Sequence, residues 1–387
     1  MKLLYYASSS YGGLLNYAQD QANALGELGI EVTVLCSPRF VKRPGDRYAL
    51  LPDLIDNRPR GPRNRLARSL RFAWISLRNA AILCKAIKAG GHDRVLFVCY
   101  AEYFAPLWAG KFQKLARNGV RFGAIIQEAV RDFKVGPTWW HNWSVGSAYS
   151  FLKYAFVHDD IDLDTATPVP GLETIVVPMA PHPFPDPTET REQTRQRLGI
   201  PDSSVVLFAF GHIRDNKNLD YAIHALKAAP GTHLLVAGAR NAASQKPESY
   251  YMELAESLGV ADRCTWLIEY ISEQEAANLF TASDLALLTY NSSFRSASGV
   301  LNVAARYRKP CIASAGQGSL QKVVKSYGLG VWVEPDDPEA MAQGVKQWMS
   351  DPPVPRWEDY NRDNSWQRNA RLVAEAFQLF PADPSAK

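Results

Sequence analysis

The segment Phe208-Ala209-Phe210-Gly211-His212-Ile213-Arg214-Asp215-Asn216-Lys217-Asn218-Leu219-Asp220 runs from an apolar strand pattern through a glycine into a polar loop. A helical pattern from Tyr221 to Lys227 follows. Arg214 offers a planar, bidentate guanidinium and Lys217 a compact ammonium, a pair suited to a diphosphate. A solvated basic loop has the same spacing, and on either reading both side chains are expected to be exposed. Ser8-Ser9-Ser10-Tyr11-Gly12-Gly13-Leu14 forms a second strand–loop–helix junction. Gly12 and Gly13 there either let backbone N–H groups approach an anion or make a tight turn. Neither loop has G-x-G-x-x-G or P-loop spacing, so the dinucleotide and NTPase readings fall away. Further on, Ser298-Gly299 opens an apolar helical run (Val300, Leu301, Val303, Ala304), with serine at an ordinary capping position.

Such loops need strands and helices to hold them. Short apolar runs alternate with helical stretches along the whole chain, the pattern of parallel α/β domains. Strands are expected at Lys2–Ala7, Glu31–Cys36, Arg94–Tyr100, Phe122–Gln127, Tyr154–His158 and Thr174–Pro178. A second series covers Val205–Phe210, His233–Ala237, Cys264–Leu267, Leu285–Thr289, Pro310–Ala313 and Gly330–Val333. Seven prolines between residues 168 and 187 separate the two series, and that density continues neither a helix nor a central strand. The boundary is therefore expected near residue 187, between two doubly wound domains facing a cleft, where parallel sheets bind ligands beyond their strands' carboxyl ends.

The 387-residue length suits two to three domains, and 47% hydrophobic residues suit packed ones. No run approaches a membrane-spanning length, and the apolar start Leu3–Ala7 is too short for a signal h-region. Five scattered cysteines without C-x-x-C spacing argue against a disulfide framework or zinc knuckle and for a reducing, cytoplasmic setting. Residues 42–78 hold ten basic groups and three acidic ones, so the rest of a chain of net charge +4 is net acidic. No nucleic-acid module accompanies the patch, which makes nucleic acid a poor partner. Within it, Leu66, Leu70, Ala73, Trp74, Leu77 and Ala81 recur at helical steps from Arg63 to Ala81. Such a stripe is expected to pack on its own domain; the alternative is contact with an anionic membrane or a lipid-diphosphate acceptor. Trp139-Trp140-His141-Asn142-Trp143 is likewise expected to pack against the sheet, the alternative being a platform for sugar rings.

Taken in order, Gly12-Gly13, the Gly211–Arg214–Lys217 loop, Thr265–Glu273, Ala282–Leu288, Lys309–Ser314, Gly328-Leu329-Gly330 and Pro335–Pro338 resemble glycosyltransferase family 4. These are retaining sugar transferases of the two-domain GT-B fold. The resemblance covers nearly all of the second domain and, more loosely, the first. It implies an acceptor-side domain over 1–187, joined by a returning C-terminal segment of about 357–387, and a nucleotide-sugar domain over 188–356. The implied donor is a nucleotide-diphosphate sugar. The implied acceptor is a glycan or lipid-linked glycan, in polysaccharide or glycoconjugate synthesis. No metal or other cofactor is required, because basic side chains and helix ends neutralise the leaving diphosphate. Ser298, Gly299 and the amides after them would cradle its terminal phosphate.

The family's pattern is not complete here. Its two glutamates before the proline are replaced by Arg295 and Val303, counted back from Pro310. A histidine often found after the strand at 122–126 is replaced by Gln127-Glu128. Glu128 is then the best-placed carboxylate for acid–base or sugar-binding work, unless it pairs with Arg131 or Lys134. His158, at another strand end, is the second catalytic candidate, and His182 lies in the proline-rich connection. The missing glutamates also leave open a non-catalytic nucleotide- or glycan-binding protein. A nucleotide-sugar epimerase shares the architecture but needs cleft carboxylates that the sequence does not offer. The expected location is the cytoplasm, at the inner face of a membrane if the basic helix makes that contact.

Overall fold

The computed structural model describes residues 1–56, 64–127, 134, 136–160, 162–240, 242 and 244–380. The chain forms two compact units, Met1–Met179 with Ser365–Lys387, and Ala180–Asn364.

In the first unit the strands are Lys2–Ala7 (β1), Glu31–Cys36 (β2), Ala49–Leu51 (β3), Arg94–Cys99 (β4), Arg121–Ile126 (β5), Tyr154–Val157 (β6) and Glu173–Val176 (β7). All pair in parallel, in the order β3-β2-β1-β4-β5-β6-β7. Helices Gly12–Glu27 (α1), Arg65–Gly90 (α2), Ala109–Arg117 (α3) and Thr138–Tyr149 (α4) connect them. A parallel sheet is covered on both faces, so its strands read as nearly continuous apolar runs. In β1, Leu3, Tyr5 and Ala7 enter one core while Leu4 and Tyr6 enter the other.

The second unit repeats the plan. Its helices are Arg191–Leu198 (α5), Leu219–Ala228 (α6), Glu248–Ser257 (α7), Glu273–Ala282 (α8), Gly299–Arg306 (α9), Ser319–Tyr327 (α10), Pro338–Ser350 (α11) and Trp357–Asp363 (α12). The strands are Val205–Phe210 (β8), Thr232–Ala237 (β9), Cys264–Leu267 (β10), Leu285–Thr289 (β11), Cys311–Ser314 (β12) and Gly330–Trp332 (β13), in the parallel order β10-β9-β8-β11-β12-β13. Strand order reverses between β8 and β11, which pair directly through Leu207 with Leu285 and Phe208 with Ala286. The loops leaving these two strands therefore flank the switch point, where doubly wound sheets bind ligands. Both sheets are of the doubly wound class expected from the sequence.

The chain passes between units at 179/180 and 364/365, rather than at 187/188 and 356/357. The end of the proline segment, from residue 180 on, packs on the second unit: Arg306 donates to the Phe184 carbonyl at 3.0 Å and Tyr307 to the Pro185 carbonyl at 2.8 Å. Trp357 and Tyr360 of α12 are buried in that unit's core, so only Trp366–Ala376 (α13) returns to pack on α1.

Two expected packings are found only in part: Leu77 of the α2 stripe and His141 of the Trp-rich segment pack inward. The buried residues of α2 are Ile75, Ser76, Asn79, Ala80, Leu83 and Ile87, whereas Leu66, Leu70 and Trp74 are exposed. The helix carries apolar residues on two faces, and only the later one meets the sheet. In α4 the buried side is His141, Ser144, Val145, Ala148 and Tyr149, while Trp139 and Trp143 point to solvent.

Candidate functional site

The residues of the switch point are held by an interlocking set of loops. Gly211 follows β8 with φ +84°, a conformation that favours glycine. Gly238 follows β9, and a β-carbon there would overlap the Gly211 carbonyl, so the two backbones touch only because Gly238 has no side chain. The amide of Gly211 donates to the Ala237 carbonyl at 2.9 Å.

From Gly211 the chain turns through Arg214 into a short 3₁₀ turn, Asp215–Lys217. Asp215 fixes this turn: its amide donates to Gln245 Oε1 (2.7 Å) and its carboxylate accepts from the Lys246 amide (2.9 Å). On the other side Thr289, the last residue of β11, donates its hydroxyl to the Lys217 carbonyl at 2.8 Å. Asn218 takes a left-handed conformation (φ +48°) and donates to Asp336, whose other oxygen accepts from the Ser292 amide at 2.9 Å. Those hydrogen bonds hold the Asp336 carboxyl below its ordinary pKa against the opposing effect of burial.

The Lys217 ammonium folds back and donates to the Phe210 carbonyl at 2.9 Å. It is half-buried, not exposed as expected. Its pKa is pushed down to about 8 by desolvation and then by the charge of Arg214. Arg214 is exposed. Phe210, Gly211, Arg214, Lys217, Leu287 and Thr289 surround a recess with about 20 Å³ of water-accessible space, room for one water.

The start of α9 closes the other side. Ser298 is buried, and its hydroxyl accepts from the Leu301 amide (3.3 Å) while sharing a hydrogen bond with the Tyr290 hydroxyl (2.9 Å). Tyr290 stacks on Phe294 with centroids 3.9 Å apart, which stiffens the loop that delivers the helix. The Ser298 hydroxyl is thereby committed to capping, and the first-turn amides of Gly299 and Val300 are left as anion donors. A β-carbon on Gly299 would meet nothing within 4 Å. At the position a β-carbon on Gly211 would take, Lys217 Nζ is 3.6 Å away and Val300 Cγ2 3.9 Å. Gly211, Arg214, Lys217, Ser298 and Gly299 are thus gathered into one site. Arg295 is exposed near it, while Val303 is buried in the core.

The remaining candidates lie in the first unit. Gly12 (φ +66°) and Gly13 open α1 beyond the carboxyl end of β1, with open space where a β-carbon would stand. His158 follows β6; its Nδ1–H donates to the Val177 carbonyl at 3.1 Å, which makes Nε2 the acceptor nitrogen. Burial lowers its pKa to about 4, so the ring is neutral at pH 7. Its ring lies 5.5 Å from that of Tyr17. Glu128 lies outside the described residues. His182 is buried in the second unit.

Sequence reasoning did not single out Gly238, Thr289, Tyr290 or Asp336. A glycine ending an apolar strand run was the available signal for Gly238. Asp336 lies in the Pro335–Pro338 motif noted above, but nothing there pointed to its contact with Asn218, 118 residues away. Among the described residues no group of three or more His, Cys, Asp or Glu side chains could hold a metal ion.

Residues 190–373 match the family Glycosyl transferases group 1. The chain is 31% identical over 157 residues to the D-inositol 3-phosphate glycosyltransferase of Mycobacterium ulcerans, a match covering 40% of this chain and 33% of that protein. It is 23% identical over 166 residues to an uncharacterized glycosyltransferase of Methanocaldococcus jannaschii, covering 42% and 40%. The chain therefore spans only a third to two fifths of the length of these curated relatives. Among solved structures, sucrose-phosphate synthase from Thermosynechococcus elongatus superposes with TM-score 0.70 at 15% identity, covering 99% of this chain and all of that one. HepE of Anabaena, crystallised with UDP and glucose, superposes with TM-score 0.65 at 15% identity, covering 98% and 100%. The chain has the GT-B fold, and its residues 190–373, just under half of it, match the glycosyl transferases group 1 family.

Proposed function

We propose that this protein is a glycosyltransferase that moves a sugar from a nucleotide-diphosphate donor to a glycan or lipid-linked acceptor. One observation carries the reading: at the switch point of the group 1 domain, the Lys217 ammonium and the start of α9 converge on Gly211. Negative charge builds on the diphosphate as the sugar departs, and preorganised donors aimed at that charge are the largest lever on such a step. Lys217, Arg214 and the amides of Gly299 and Val300 supply it without a metal ion. In the first unit, Gly12 and Gly13 offer a further anion-facing helix start, with Glu128 and neutral His158 for acid–base or acceptor-binding work. Retention of anomeric configuration, polysaccharide or glycoconjugate synthesis and a cytoplasmic location belong to the same proposal. All five cysteines are free thiols, in keeping with a reducing compartment.

A second reading, a nucleotide-sugar binder without transfer, is favoured by Val303: a core side chain stands where the resembled family places a glutamate. Two measurements separate them. Calorimetric titration with UDP, GDP, ADP and dTDP should show one preferred diphosphate, weakened by about 1.5–3 kcal/mol in Arg214→Ala. Incubation with the matching labelled nucleotide sugar should then release free sugar slowly. Binding without release establishes the second reading, and no binding of any diphosphate overturns both.

A further inference from the structure

We infer that the first unit docks on an anionic lipid bilayer through the opening turns of α2. From Asn64 to Trp74 no residue with a described side chain is buried. Leu66, Leu70 and Trp74, at steps of four, are 67%, 63% and 49% exposed. They form one apolar ridge along the helix.

The charge of the helix selects the occupant. Its 26 residues include Arg65, Arg68, Arg71, Arg78, Lys85 and Lys88 and no carboxylate. Arginines in a first turn oppose the helix dipole, where acidic residues are favoured. An anionic surface beside that turn reverses the penalty. Arg78 lies over the Trp74 indole at 5.5 Å, a cation beside the aromatic ring that would sit at headgroup level. A basic helix with a Leu/Trp ridge is the composition of an interfacial helix, apolar side in the acyl boundary and guanidiniums among the phosphates.

The neighbouring elements add to the surface. Phe72 of α2 packs on Phe104 of the 3₁₀ helix Glu102–Leu107 (5.5 Å), and Tyr103 of that helix on His141 of α4 (5.9 Å). On α4, Trp139 and Trp143 are 65% and 53% exposed. Their edge-to-face contacts with Trp140 hold the indoles in place. No helix among the described residues is long and apolar enough to cross a membrane, so the contact is peripheral.

This inference is independent of the donor-site reading, because its test uses no nucleotide. The full chain is sedimented with phosphatidylcholine vesicles, with and without phosphatidylglycerol, at low and moderate salt. The expected result is binding that needs the anionic lipid and weakens with salt. Arg78→Ala, beside the ridge at Trp74, should lower the partition coefficient by about fivefold. A Leu66→Ser/Leu70→Ser/Trp74→Ser variant, altered only at exposed positions, should keep its melting temperature and lose binding. Absence of sedimentation, equal binding to neutral vesicles, or undiminished binding by the triple variant would overturn the inference. Self-association of the chain abolished by the same triple variant would also do so, by assigning the ridge to a second copy.

Discussion

The side-chain amide of Asn369 donates to the backbone carbonyl of Pro178 at 2.8 Å. One partner lies just before the chain leaves its first unit, the other just after it returns. Asn369 is fully buried; it also donates to Tyr17 (3.1 Å) and accepts from Gln21 (2.6 Å), which in turn accepts from Tyr5. The network closes without water and fixes α13 on α1.

Breaking this network should be costly. Asn369→Ala leaves the Pro178 carbonyl without its partner and the Gln21 amide with only its long contact to Tyr17 (3.4 Å), a loss of about 1–3 kcal/mol at each. Urea unfolding should show a loss of about 2–4 kcal/mol in the transition of the first unit. A loss below that of an ordinary surface substitution would show that the network is not closed in solution.

Diphosphate binding should depend on pH through Lys217. Its pKa of about 8 means that the ammonium is charged at neutral pH and becomes neutral as pH rises through that value. Affinity for the preferred nucleoside diphosphate should therefore fall on going from pH 7 to pH 9, with proton uptake on binding at the alkaline end. Lys217→Arg keeps its charge throughout, and its titrations should show no such fall.

Arg195 is wholly buried; it pairs with Asp284 at 2.8 Å and donates to the carbonyls of Ala282, Asp202 and Ser204. Removing one partner of a buried pair strands the other charge. Asp284→Ala should destabilise the second unit by about 3–5 kcal/mol. The double change Arg195→Met/Asp284→Ala should cost less than the sum of its parts, a coupling that a double-mutant cycle reads directly.

His158 should make the first unit acid-sensitive. The folded state holds its pKa at about 4 against an ordinary 6.5, so the unfolded chain binds the proton first. Its favourable contribution is complete above about pH 6.5 and is lost as pH falls toward about 4. Unfolding midpoints measured down that range should decline less steeply in His158→Gln than in the parent chain.

Most of both sheets was legible because the central strands are buried on both faces; the short, largely open edge strand Ala49–Leu51 was not expected. Apolar runs such as Val205–Phe210 and Leu285–Thr289 admit few other readings. The glycine and cations of the β8 loop were legible as chemistry, because their types matter wherever the loop goes. Burial of Lys217 was not, since it depends on the carbonyl of Phe210 folding under it. Nor could the prolines reveal where the chain leaves the first unit; the end of that segment is tied to the second by Arg306 and Tyr307, more than a hundred residues away. In α2 the periodicity was clear, but two apolar faces compete there, and only contact with the sheet selects between them.

The return of α13 also bears on how the protein is made. Ala370, Val373, Ala374, Phe377 and Leu379 are part of the core beneath β1, and Phe377 packs on Tyr154 and Phe156 at 5.1 and 5.9 Å. A β-carbon on Gly123 would collide with that phenylalanine. During synthesis the first unit therefore waits, the part of its sheet face that α13 covers left bare beside α1, while the whole of the second is translated. At about 5–20 residues per second the delay is roughly ten to forty seconds. The unit encoded first is the last to be completed, and through that interval its bare face is the surface a chaperone would recognise.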